Sequence, residues 1–340
     1  SILRNQTDET GLRWQRPSQW SSLRIRTPFP SGASVAIAKK TCLLLCLCVL
    51  LVGCSRTAFV YNRLDFLLPW YIQGYADLNG EQKDYLDQLL VPLLDWHRSR
   101  ELPCYVVLLE NVEAALESRT LGGDDIGAVV REFESAWFRI EARGLERLLD
   151  LGAQLSDEQV AHFLAELEER HRELEEEYLS RSDDEFYDDS YDAMLDTAED
   201  YLGRLQKPQR NLLRAGSREL KRADGVWLSE RALFLQRLAV LLERKPGWQQ
   251  GVRDLVATRD ESVSAEYREK LAYNIFLLQE LTAQVLNTRT EQQDVSLRKR
   301  FAGFREDFTK LAAQGAGEFE AQCSTELAGA PLLPEIRVDG

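Results

Sequence analysis

From Glu81 to Ala313 the apolar residues recur at three- and four-residue spacing almost without a break, and no stretch shows the two-residue alternation of a half-buried strand. A chain patterned in this way buries its stripes by packing helix on helix, which predicts an all-α, elongated multi-helix bundle with no sheet. Between Glu81 and His97 the residues Tyr85, Leu86, Leu89, Leu90, Leu93, Leu94 and His97 share one face, with a kink expected at Pro92, and Pro103 suits the first turn of a helix to about Ser118. Ile126, Val130, Phe133, Trp137, Ile140, Gly144 and Leu148 then form the inward stripe of a long helix capped by Asp124 or Asp125, Gly144 marking a close crossing. Further helices are predicted at 156–180, to about Leu205, and at about 208–223, 229–244, 249–287 and 291–313. The acidic segment 181–192 reads as a hinge or loop, and Lys245-Pro246-Gly247 as punctuation. Upstream, the aromatic stretch 58–77 is interrupted by Pro69 and reads as an aromatic core plug in two short helices or one kinked helix.

Three helix starts share a spelling: Leu78 to Gln82, Leu155 to Gln159 and Leu205 to Gln209. A fourth, Thr290 to Gln293, has Arg289 in place of the leucine. Ser156 or Thr290 at the N-cap can accept from the amide three residues on while Gln159 or Gln293 reaches back, which is a capping box.

The stretch Lys39 to Cys54 has two cationic residues, Lys39 and Lys40, then an apolar run from Cys42 to Val52. That run is shorter than the roughly 18 to 20 residues that cross a bilayer as a helix, and it fits the core of a secretory signal. Leu51-Val52-Gly53-Cys54 resembles a bacterial lipobox, which implies cleavage before Cys54 and acylation of that residue. Several acyl chains anchor firmly where one anchors only marginally. Ser55, rather than Asp, follows the cysteine, which by resemblance to lipoprotein sorting implies the outer membrane, facing the periplasm. The expected organisation is an upstream extension at 1–34 with initiation near Val35, a signal at 35–53, a helical domain at 54–325, and a flexible tail at 326–340. A sub-domain break is considered near 181–192 or 245–247.

Residues 55–340 carry 35 Lys and Arg against 54 Asp and Glu, a net charge near −19. Such a chain is repelled by nucleic acid and by anionic surfaces, which excludes nucleic-acid partners. Beyond the signal and Cys54 the thiols are Cys104 and Cys323. In an oxidising compartment they either form one disulfide or remain two small buried apolar residues.

The chain has three histidines, and His162 and His171, nine apart, fall on opposite faces of one helix and cannot share a metal there. The residues present no phosphate loop, nucleophile elbow or zinc motif, so no catalytic residue, metal or cofactor is assigned. The acidic cluster Asp183, Asp184, Glu185, Asp188, Asp189 and Asp192 lacks the glycine and spacing of an EF-hand and reads as a solvated turn. The Leu-x-x-x-Gln starts are similar to a signature of the Spy-like periplasmic chaperones, which implies a helical client-binding surface. A broader set of residues, Cys54, Tyr61 to Asp65, Trp70-Tyr71, Leu78 to Gln82, and Trp96 to Arg98 with Glu101 to Pro103, resembles an uncharacterised family of proteobacterial lipoproteins. That resemblance implies location and helical fold but no activity. The expectation is a membrane-anchored lipoprotein whose helical domain binds an envelope protein partner or client. The alternatives are an envelope hydrolase using carboxylates or His97, or a structural spacer.

Overall fold

A computed structural model describes residues 56–315 and Cys323, and every regular element among them is helical. In chain order these are α1 (Arg56–Tyr61), α2 (Leu64–Ala76), α3 (Gly80–Trp96), a π-helical turn (His97–Glu101), α4 (Leu102–Ala115), α5 (Gly123–Gly152), α6 (Asp157–Leu179), α7 (Asp183–Leu202), α8 (Lys207–Glu219), α9 (Asp224–Leu241), α10 (Trp248–Ala257), α11 (Ala265–Asn287) and α12 (Glu291–Ala312). The all-α expectation holds.

Several element boundaries differ from the sequence reading for identifiable reasons. The acidic segment is not a hinge, because Ser182 caps α7 and Glu185 reaches back to the Ser182 amide at 2.8 Å, so residues 183–192 are helical. The span 249–287 is two helices, because Ser264 starts α11 afresh and Glu230 of α9 accepts from the Ser264 amide at 2.9 Å. Pro69 lies within α2, and the break falls instead at Asn62 and Arg63. Pro92 lies within α3, which runs through the π turn into α4. Pro103 cannot donate to the Ser99 carbonyl, and the Leu102 amide bonds His97 O, the wider π register.

The bundle is assembled by long helix pairs: α4 packs along α12, α5 along α11, α6 along α9, and α7 along α8. Two apolar clusters form beneath them. One joins Ala76, Leu78, Leu86, Leu89, Leu90 and Leu151, with Leu155 packed against it, at the starts of α3 and α6. The other joins Leu116, Leu121, Tyr191, Leu202, Leu205, Leu213, Ala283, Val285 and Leu297 at the starts of α8 and α12. Leu78 and Leu205, the first residues of two of the repeated starts, are buried, each contributing about 1.5 to 3 kcal/mol by leaving water.

Two glycines locate the helix approaches. A Cβ at Gly216 of α8 would collide with the Leu281 side chain of α11, so these helices meet at that point. Gly144, by contrast, has open space where its Cβ would be, and the close crossing expected there is absent.

Candidate functional site

The repeated helix starts are brought together in pairs. Asn79, Ser156 and Thr290 each accept from the backbone amide of the glutamine three residues on, and Gln206 holds the same place before α8 without a side-chain cap bond. In all four starts the glutamine Oε1 accepts from the cap residue's own amide, at 3.0 Å for Gln82, 2.9 Å for Gln159, 2.8 Å for Gln209 and 3.0 Å for Gln293. Each Nε2 then crosses to another start. Gln82 Nε2 donates to Gln159 Oε1 at 2.9 Å, and Gln159 Nε2 donates to Gln82 Oε1 at 2.8 Å. Gln209 and Gln293 exchange the same bonds at 3.1 and 3.0 Å.

The second hydrogen of each amide finds a carbonyl five residues before the partner glutamine: Gln82 to Gln154 O, Gln159 to Asp77 O, Gln209 to Thr288 O and Gln293 to Arg204 O. Each carboxamide is therefore saturated within a two-fold-like arrangement that occurs twice in the chain. The Gln209–Gln293 pair is buried, whereas Gln159 of the first pair is half-buried. Arg289, standing where the other starts have leucine, is also buried. It pairs with Asp294 at 2.6 Å and donates to the carbonyls of Leu286, at 2.7 Å, and Leu116. These polar atoms spend their capacity on one another, so the motif glutamines secure the architecture and offer no free group to a ligand.

His97 occupies the π turn. Its Nδ1 lies 2.7 Å from Tyr61 Oη and its Nε2 3.3 Å from Tyr105 Oη, tying α1 to α4. Burial pushes the imidazole below its ordinary pKa, with Glu101 acting the other way and Arg98 reinforcing the shift. Burial likewise pushes Tyr61 up to about 12 against the opposing charge of Arg98, and raises Tyr105 further, aided by Glu101. Four residues on, buried Glu101 takes a bidentate fork from Arg139 of α5 at 2.8 and 2.9 Å. Cys104, in the first turn of α4, is disulfide-bonded to Cys323 with Cα atoms 5.4 Å apart. A cavity of about 200 Å³ beside this bond is lined by Tyr105, Asn111, Glu132 and Arg139 among others. A second, of about 250 Å³, lies against α9, with Trp227, Arg231, Phe234, Asp260 and Tyr267 among its walls. His97 lines neither.

The acidic start of α7 stays exposed to solvent, as expected, and is also paired with arginines. Arg222 reaches Asp183 at 2.8 Å, Arg218 reaches Asp184 at 2.7 Å and Asp188 at 3.3 Å, and Arg181 reaches Asp189 at 3.1 Å. Of the other histidines, His171 faces Glu175 at 3.5 Å.

The stripe of α5 assigned to the core is only partly in it: Ile126, Val130, Ile140 and Gly144 are half-buried, Ile126 against the second apolar cluster, and the other three residues are exposed. Phe133, Trp137 and Leu148 are 51, 57 and 53 % exposed, and what α5 buries is Gly123, Gly127, Ala136, Leu149 and Leu151. The helix is pinned by its polar flanks, through Glu101–Arg139, Arg259 to Glu141, Arg253 on Glu146 at 2.7 Å, and Arg143 stacked 4.3 Å over Trp96. Hydrophobic period located the stripe, but only the paired flanks show which side faces water. Lys39, Lys40, Leu51, Val52, Gly53 and Cys54 lie outside the described residues.

A sequence model of a family of unknown function (DUF6279) matches residues 74–268, more than half of the chain. The protein belongs to this family. No curated protein and no solved structure matches the chain. The DUF6279 segment contains α5 and three of the repeated starts, while Gln293, the partner of Gln209, lies beyond it. The second glutamine pair is thus completed by chain outside the matched segment.

Proposed function

We propose that this DUF6279 protein is a lipoprotein of the bacterial outer membrane, tethered through Cys54, whose helical domain holds protein partners or clients in the periplasm. The observation that carries the binding reading is the outer stripe of α5: Phe133, Trp137 and Leu148 stand exposed along roughly 22 Å of one helix, given 1.5 Å per residue. Exposed aromatic groups held on a rigid element are the anchors that protein interfaces favour, and exposed apolar groups gathered on one face mark such sites. The surrounding negative charge keeps the domain soluble and biases it toward neutral or basic segments. The Leu-x-x-x-Gln starts add the resemblance to Spy-like chaperones, and the lysines, apolar run and Leu51-Val52-Gly53-Cys54 support the tether.

Site-specific photocrosslinking in intact envelopes tests this. A photoreactive residue at Trp137 should give discrete protein adducts that the same residue at exposed Glu173 does not, and Cys54→Ala should remove the protein from the outer-membrane fraction. Equal adduct patterns at the two positions, or no adducts at 137, would overturn the binding reading. Recovery of Cys54→Ala in the outer membrane at the level of the native protein would overturn the tether.

A further inference from the structure

The first described helices carry a second exposed apolar face, distinct from that of α5. Phe59 of α1 and Phe66, Trp70 and Tyr71 of α2 are 59, 65, 52 and 57 % exposed. Phe66 and Trp70 are one turn apart on α2, and Arg63, in the break between α1 and α2, stacks 5.4 Å over the Phe59 ring. The opposite side of the same helices is docked: Tyr61 on His97, Leu68 and Ile72 against the first apolar cluster, Tyr75 on Phe163 with Arg170 above its ring. The exposed aromatics therefore belong to helices already held by the bundle.

Charge separates this face from the rest of the surface. Residues 55–76 contain Arg56, Arg63 and a single acid, Asp65, in a domain with a net charge near −19. Position is the second argument, and it rests on the reading of Cys54 as the acylated residue. Arg56, the first residue of α1, is two residues from Cys54, so at roughly 3.5 Å per residue the helix begins within about 7 Å of an acyl anchor. Tryptophan and tyrosine favour the headgroup level of a bilayer, where one edge of the ring is apolar and the other wet. No helix among the described residues is long and apolar enough to cross a membrane, so the contact is interfacial.

We propose that the outer face of α1 and α2, centred on Phe59, Phe66 and Trp70, lies in the headgroup region of a zwitterionic phospholipid bilayer. It acts as a second contact that fixes the orientation of the bundle on its tether. A single flexible anchor would leave the acidic domain free to tumble, whereas an anchor followed at once by an aromatic face selects one orientation.

The test uses protein produced in bacteria and extracted from membranes, with the mass of its N-terminal peptide reporting acylation at Cys54 independently. The protein is placed in phosphatidylcholine vesicles whose acyl chains are brominated or plain, and tryptophan emission is compared. Emission should be quenched in the brominated vesicles, the quenching should be lost in Trp70→Tyr, and it should persist in Trp137→Tyr. Equal emission in the two vesicle types with Cys54 acylated would overturn the orienting contact while leaving the tether intact. If Cys54 proves unacylated the anchor reading fails instead. The face is then decided by the same measurement on protein coupled through the Cys54 thiol to a maleimide lipid, where unquenched Trp70 overturns it and quenched Trp70 supports it.

Discussion

Gln209 and Gln293, separated by 84 positions, exchange carboxamide hydrogen bonds inside the second apolar cluster, and each also closes the first turn of its own helix. Replacing one of them strands the buried donor and acceptor of the other. Gln209→Leu and Gln293→Leu should each cost about 2 to 3 kcal/mol of unfolding free energy in urea, and the double variant clearly less than their sum. Gln82→Leu should cost about 1 to 2 kcal/mol, because its half-buried partner Gln159 can turn to water. Strict additivity in the 209/293 cycle would contradict the pairing.

Glu101 is buried and its charge is met by the Arg139 fork that joins the π turn to α5. Removing the carboxylate leaves a partly buried guanidinium unmatched. Glu101→Gln should destabilise by about 3 kcal/mol, and Glu101→Leu with Arg139→Met by less than either single change, as read from urea midpoints.

His97 is held below the ordinary histidine pKa of 6.5 by burial, with Glu101 and Arg98 as the charges and Tyr61 and Tyr105 as the hydroxyl groups facing it. The folded protein therefore resists protonation that the unfolded chain accepts. His97 leaves stability unchanged above pH 6.5 and lowers it as pH falls below 6.5, the loss levelling off once pH passes the depressed folded value. Urea midpoints at pH 7.5 and 5.5 should fall less in His97→Gln than in the native chain, and a proton titration of the imidazole by NMR should give a midpoint below 6.5.

The Cys104–Cys323 bond joins residues 219 apart. Closing so long a loop restricts the unfolded chain strongly, so reduction, or Cys104→Ala with Cys323→Ala, should lower stability by about 3 to 5 kcal/mol. An unchanged melting temperature under reducing conditions would exclude a stabilising bridge.

The repeated starts show how far sequence reaches. Capping boxes at Ser156 and Thr290 are legible because the cap acts within one turn. Their pairing is not, because Gln82 and Gln159 meet across 77 positions. One local hint exists. The Ser182 box closes with Glu185, so a carboxylate suffices to cap a helix, and four glutamines in that role point to a further need for donors.

The start of α11 and the π turn likewise depend on groups distant or subtle in sequence, Glu230 for the one and the missing amide of Pro103 for the other. By itself the sequence determined the helical class, most helix starts and the acidic character, because period, caps and charge are properties of neighbouring residues. Tertiary structure alone decided that the four starts form two mutually saturated pairs and that the exposed acidic start of α7 is helical and paired with Arg181, Arg218 and Arg222. It also decided that Phe133, Trp137 and Leu148 of α5 face water. Amphipathic period specifies that a helix has an apolar side, but which neighbours cover it depends on contacts between residues far apart in the chain.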